Sequence, residues 1–313
     1  MSLAFILGQK NLTYDPTGLA GLYERHEPVR AAYDRAAQWT GIDTGLLLRP
    51  GSDPAQRSRN TSIGLAAAMF GIADLLAGHG IHPAMIGGIS LGAMVSGALC
   101  GAVSRQDVIG LLAHTDGDQR PDRAERPEGC VAAVLPLGQT YESFYGTRPG
   151  IWFGGDFGMH TSGAFRMLLL SGYRDALDEL ASGYPPEYFV FSDETVAVHS
   201  PLRYRARDVL ARVAAGIEFS DPAVPMCSSL EPRVLHSAEQ VRSEFSRNVV
   251  EPVRADHLTG QMRRLGARLG VILGPTLPRD GFEFPFPVVY VDAPDDISQV
   301  VAAVREHDVL LPM

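Results

Sequence analysis

Residues 81–103 read IHPAMIGGISLGAMVSGALCGAV, and no other stretch restricts the fold as much. IHPAMIG has the length and composition of a short buried strand. Gly88-Ile89-Ser90-Leu91-Gly92 then matches G-x-S-x-G, and small apolar residues at helical spacing follow. Strand, tight turn and helix in that order lift a serine hydroxyl above the edge of a sheet, where it can act as a nucleophile. A structural serine in a glycine-rich bend fits the same five residues, so the motif alone leaves both readings open.

The rest of the chain reads as alternating helices and strands. AFIL near the start is a short strand ending at Gly8. Residues 19–39 are helical with an interruption at Pro28, and RPGSDPAQRSRN is a loop by its breakers. TSIGLAAAMFGIADLLAGHG is apolar on almost every face, so it is expected as a buried helix. After a charged, breaker-rich segment, DGDQRPDRAERPEG, come two strands (CVAAVLPL and FRMLLLSG), an amphipathic helix (YRDALDELA) and a strand-like YFVFSDETVAVH. That order predicts a small α+β insertion at about 127–195.

Composition excludes several functions. A net charge of −9 argues against nucleic-acid or anionic-membrane binding, which need a positive field. Cys100, Cys130 and Cys227 are widely spaced, without a C-x-x-C, and suggest neither a disulfide framework nor a zinc site. The apolar run in MSLAFILGQK lacks a basic flank and is too short for a signal or a membrane span, so a cytoplasmic protein is expected.

With these residues in view, AMIGGISLGAMVSGALCGAVSRQDVIGLL resembles the active-serine segment of the malonyl-CoA:acyl carrier protein transacylases and polyketide synthase acyltransferases. AVHSPLRYRARDVLARVAAGIEFSDPAVPMCSSL is similar to the catalytic-histidine segment of that family. RNVVEPVRADHL and the Leu273-Gly274-Pro275 turn resemble later family landmarks, in the same order. The resemblance implies an α/β fold: an α/β-hydrolase-like parallel-sheet core from 1–126 and 196–313, carrying a ferredoxin-like small subdomain at 127–195.

It also implies a site. Ser90 would be the nucleophile and His199 its general base, in a ping-pong transfer of an acyl group. The imidazole would be oriented by the backbone carbonyl of Asn248, without a carboxylate. Oxyanion donors would be the N–H of Leu91 and an N–H in the loop after Gly8, from Gln9, Lys10 or Asn11. No bound cofactor is implied; the phosphopantetheine of an acyl carrier protein, or CoA, enters as substrate. Implied partners are an acyl carrier protein and an acyl-CoA or acyl-carrier-protein donor, with the enzyme a monomer. Arg203, Arg205 and Arg207 are candidate docking cations for an acidic carrier protein.

The chain departs from the family where substrate is chosen. Malonyl-selective members place an arginine where ungapped counting puts Thr115, and a carboxylate buried without that partner is costly. Ile89 replaces a histidine, Thr61 a glutamine, and Val198, in Val196-Ala197-Val198, an aromatic residue. These five positions, Ile89, Thr61, Thr115, Val196 and Val198, are the expected acyl pocket, suited to a larger or more apolar group without a carboxylate. Alternatives on the same scaffold are an editing thioesterase and a catalytically weak carrier-protein-binding module. An unrelated esterase using a late histidine such as His307 lacks its expected oxyanion motif.

Overall fold

The computed structural model describes residues 2–9, 17–118, 126–192, 194–279 and 281–309, leaving out the side chains of 54, 55 and 115–118. Eleven strands occur among them. In chain order they are β1 (Ser2–Leu7), β2 (Met85–Gly88), β3 (Glu128–Pro136), β4 (Ile151–Met159), β5 (Phe165–Tyr173), β6 (Phe189–Phe191), β7 (Met226–Cys227), β8 (Val234–Leu235), β9 (Val253–Arg254), β10 (Ala267–Leu273) and β11 (Val288–Val291).

Six of these form the large sheet, in the order β11-β10-β1-β2-β7-β8, parallel except for the terminal β7–β8 hairpin. A parallel sheet is covered on both faces, so its strands read as unbroken apolar runs. In β1 the alternation is visible residue by residue. Leu3, Phe5 and Leu7 face one core with the helix Pro54–Gly78, while Ala4 and Ile6 face another with Leu258 and Met262 of the helix Ala255–Arg264. From Gln56 to Gly78 the first of these helices is long and apolar enough to cross a bilayer, yet 78% of its most apolar window is buried inside the protein. It begins at Pro54, earlier than the sequence suggests, because proline is tolerated in a first helical turn. Pro28 acts similarly: the early helical segment is two helices, Thr17–Arg25 and Glu27–Thr40, with Pro28 in the first turn of the second.

The second sheet has the order β6-β3-β5-β4-β9. Its first four strands, with the helices Tyr141–Phe144 and Arg174–Ser182 after β3 and β5, form an antiparallel β-α-β-β-α-β unit of ferredoxin-like order. The sequence reading has no strand at β4. Gly154, Gly155 and Gly158 lie in it, and two register shifts, at Phe153/Gly155 and Asp156/Gly158, break the alternation that reveals a strand. β9 comes from outside 127–195 and pairs with β4 in parallel, Gly155 against Val253 and Asp156 against Arg254. This pairing joins the two lobes immediately after the 248–252 turn, where the site lies.

Candidate active site

Ser90 stands between β2 and the helix Leu91–Leu99 with φ 56° and ψ −118°. A non-glycine residue there costs about 1–3 kcal/mol and persists only where its surroundings over-determine it. The two motif glycines supply that constraint. A Cβ on Gly88 would lie 2.2 Å from the Gly92 backbone, and one on Gly92 would lie 2.2 Å from the Leu7 carbonyl oxygen. Only glycines let helix, turn and β1 approach this closely. The Ile89 N–H donates to the Leu7 carbonyl at 2.9 Å, and Asn248 Nδ2 donates to the Ser90 carbonyl at 2.9 Å.

His199 is buried, and its Nε2 lies 3.0 Å from Ser90 Oγ. Its Nδ1 lies 3.2 Å from the main-chain oxygen of Glu251. A carbonyl only accepts, so Nδ1 carries the proton and donates, and the Nε2 lone pair of the neutral ring faces the serine hydroxyl. Burial pushes the imidazole down to about 4, against a partial upward pull from the Glu251 and Asn248 main chains. The ring is therefore neutral, and able to take a proton, at neutral pH.

This corrects the expectation for Asn248. The carbonyl that holds Nδ1 is that of Glu251, three residues on, because the helix Ala238–Arg247 ends and the turn after it aims Glu251 O at the ring. Asn248 contributes its side chain, to Ser90, and a weaker carbonyl effect.

Residues absent from the sequence reading hold the histidine. Glu128, at the start of β3, accepts from the Ala197 N–H at 2.9 Å and from the Arg203 guanidinium, with both charged side chains buried. Arg203 is thus a structural ion-pair residue and no docking cation; Arg205 remains exposed, and Arg207 pairs with Asp208. Arg247 grips the Glu251 carboxylate through two hydrogen bonds of 2.6 Å and also reaches Glu231. A guanidinium four residues before a glutamate on a turn is the only local sequence signal for this clamp.

The expected oxyanion donors fall at the ends of neighbouring strands, since Leu7 of β1 is in register with Gly88 of β2. Leu91 is the first residue of its helix, where N–H groups lack intrahelical acceptors. Gln9 follows Gly8, whose own N–H donates to Thr276 Oγ1 at 3.1 Å in the late Gly-Pro turn. Lys10 and Asn11 lie outside the described residues.

Of the expected pocket residues, Ile89 and Val198 join the apolar cluster between the lobes, with Phe157 and Leu169 of the small sheet. Val196 is buried, its carbonyl accepting from Cys130 Sγ. Thr61 is buried in its helix and returns its hydroxyl to the Arg57 carbonyl at 2.7 Å. Thr115 is in the helix Arg105–Asp118, its side chain outside the description.

No family model matches the chain. A malonyl CoA-acyl carrier protein transacylase of Mycolicibacterium smegmatis is 25% identical over 240 residues, 74% of this chain and 80% of that protein. Among solved structures, the malonyl transacylase of a type II polyketide synthase, in complex with its acyl-carrier protein, has a TM-score of 0.83 at 18% identity. The match covers 97% of this chain and all of that one. A malonyl-CoA:ACP transacylase of Synechocystis gives 0.80 at 14% identity, covering 96% and 100%. The acyltransferase domain from the second module of the salinomycin polyketide synthase gives 0.77 at 20% identity, covering 99% and 74%. At these identities the structures establish the fold, and the sequence relative agrees with it. In sequence and in fold the chain is similar to the malonyl-CoA:acyl carrier protein transacylases and, in fold, to the acyltransferases of polyketide synthases.

Proposed function

We propose that this acyltransferase moves an acyl group without a carboxylate, from an acyl-CoA or acyl-carrier-protein thioester to the phosphopantetheine thiol of an acyl carrier protein, through an ester on Ser90. The observation that carries the reading is the Ser90 Oγ–His199 Nε2 contact of 3.0 Å, with Nδ1 committed to a carbonyl.

Chemistry follows from that arrangement. Ser90 Oγ attacks the thioester carbon as its proton passes to Nε2, and the tetrahedral intermediate collapses by expelling the thiolate. The thiolate takes the proton from Nε2 and leaves as a thiol. The second thiol repeats the sequence in reverse, giving its proton to Nε2, attacking the ester and releasing Ser90 Oγ, which recovers the proton. Imidazolium forms only transiently, and Glu251 O holds it in place without a negative charge. The N–H groups of Leu91 and Gln9 are assigned to the oxyanion.

The choice against a carboxylate is supported by what surrounds Ile89 and Val198. Their neighbours are apolar, and the nearby guanidinium groups of Arg166 and Arg203 are engaged by Asp156 and Glu128. The Mycolicibacterium relative is a malonyl CoA-acyl carrier protein transacylase and the type II polyketide transacylase is bound to its acyl-carrier protein, and the carrier-protein acceptor is taken from them.

The test is an intact-mass time course with a panel of acyl thioesters, malonyl included, and Ser90→Ala as control. An adduct from a carboxylate-free group, absent in Ser90→Ala, is the expected result. Efficient malonyl loading would overturn the substrate choice. Free acid released without a thiol acceptor would make water the acceptor.

A further inference from the structure

Between the lobes lies a cavity of about 350 Å³ that the site residues alone do not explain. Its floor includes Ile89, the residue before the nucleophile, and Leu277, whose Cγ would sit 2.9 Å from a Cβ on Gly8. The floor thus lies beside both backbone segments assigned to the acyl carbonyl. Leu258, from the helix Ala255–Arg264, forms one wall, and Phe157, from β4, forms another. Residues 282–285, ahead of β11, close it: Phe282 packs on Phe157 with ring centroids 5.7 Å apart, and the Glu283 N–H donates to the Met159 carbonyl at 2.8 Å. The aromatic lid is therefore clasped to the small lobe.

Charge selects the occupant. The mouth carries Arg166 and Arg263 against Asp256 and Glu283, two of each sign. Arg166 is further engaged by Asp156, at 3.0 and 2.7 Å. No net positive field is left to hold a phosphate dianion, while the interior is suited to hydrocarbon. The hollow beside His199, about 390 Å³, differs: Arg207, Arg247 and Glu251 line it.

We infer that the cavity floored by Ile89 and Leu277 and roofed by Phe282 receives the hydrocarbon tail of the acyl group carried on Ser90. This rests on the acyl-Ser90 reading above and names its substrate class: a straight or lightly branched aliphatic acyl chain, longer than acetyl. The tail enters past Ile89, and its length is limited by the helix Ala255–Arg264 and the aromatic lid.

Gly260 makes the test clean. It lines the cavity from that helix, and a Cβ there meets nothing within 4 Å, so Gly260→Leu fills cavity space without displacing backbone. The experiment measures kcat/KM for Ser90 acylation by acetyl, butyryl, hexanoyl and octanoyl thioesters of N-acetylcysteamine. In the unaltered protein the value should rise with length, roughly 4-fold per buried methylene, until the cavity is full. Gly260→Leu should cut the octanoyl-to-acetyl ratio by ~10-fold or more, and Phe282→Ala should move the preferred length upward. Ratios unchanged in both variants would overturn the proposal while leaving acyl transfer intact; a uniform fall across all lengths would do the same and point to the pantetheine arm as occupant. Binding of acetyl- and octanoyl-pantetheine to the Ser90→Ala protein, by calorimetry, separates the two readings. Length-dependent affinity there, without any acyl-enzyme in the unaltered protein, would keep the cavity assignment and remove acyl transfer.

Discussion

Ser90 and His199 stand 3.0 Å apart and share an unusual backbone, with φ of 56° and 54°, yet they are held in opposite ways. Ser90 is fixed mainly by its own pentapeptide, through Gly88 and Gly92, and by the next strand. His199 is fixed by residues remote in sequence: Val249 O accepts its N–H at 3.1 Å, Glu251 O accepts from its ring, and Glu128 anchors the Ala197 N–H two residues earlier. The proposed nucleophile is thus a local device, whereas the proposed base is an assembly of both lobes. Substitutions far from the site should therefore damage the base more than the nucleophile.

The largest effect of that kind is expected at Glu128. Glu128→Ala leaves the Arg203 guanidinium buried without its carboxylate, a loss of about 3–5 kcal/mol in stability. Glu128→Gln retains an acceptor for the Ala197 N–H. Its kcat/KM for acylation should recover toward that of the unaltered protein even where its urea midpoint does not. Equal losses in both variants would show that Glu128 serves the fold alone and does not position the histidine.

Acid should also reach the base before the nucleophile. The His199 ring titrates at about 4 in the fold and near 6.5 in an unfolded chain, and the cause is burial. Between these values the unfolded state binds the proton and the native state does not. The contribution of this group to stability is therefore intact above about 6.5 and is lost as pH falls toward 4. The acid limb of kcat/KM for Ser90 acylation should lie near pH 4. A limb at 6.5 would mean that the ring is solvated in the working enzyme.

The local half is tested by Gly92→Ala. A Cβ 2.2 Å from the Leu7 carbonyl oxygen must push β1 from the elbow, at a cost near the upper end of the ~1–3 kcal/mol typical of overpacking. Gly260→Ala, whose added Cβ meets nothing within 4 Å, should be neutral or stabilising in the same urea titration. Similar midpoints for the two would break the claim that the elbow depends on glycine.

The same contrast explains what the sequence disclosed. G-x-S-x-G is legible because its constraint is written in adjacent residues, and the parallel core because buried strands such as AFIL are continuously apolar. The ferredoxin-like insertion is legible in outline, but β4 is hidden by its glycines and register shifts. Which carbonyl meets His199 Nδ1 depends on how the 248–251 turn is set by the preceding helix and by the Arg247–Glu251 pair. Counting residues from a resemblance puts it at Asn248, three positions early. Glu128 and Arg203 give no signal, since their pairing spans 75 residues and crosses the lobes.

Asn248 is where the two halves meet, and the smallest effect is expected there. Its side chain donates to the Ser90 carbonyl from the end of the helix that leads to Glu251. Asn248→Ala removes one hydrogen bond, worth about 1 kcal/mol, and leaves the backbone carbonyls near His199 in place. Acylation should fall about 5-fold, with the acid limb still near pH 4. If the limb moved toward 6.5 instead, the Asn248 side chain would be setting the burial of the ring, and nucleophile and base would be one coupled unit, not a local and a distributed half.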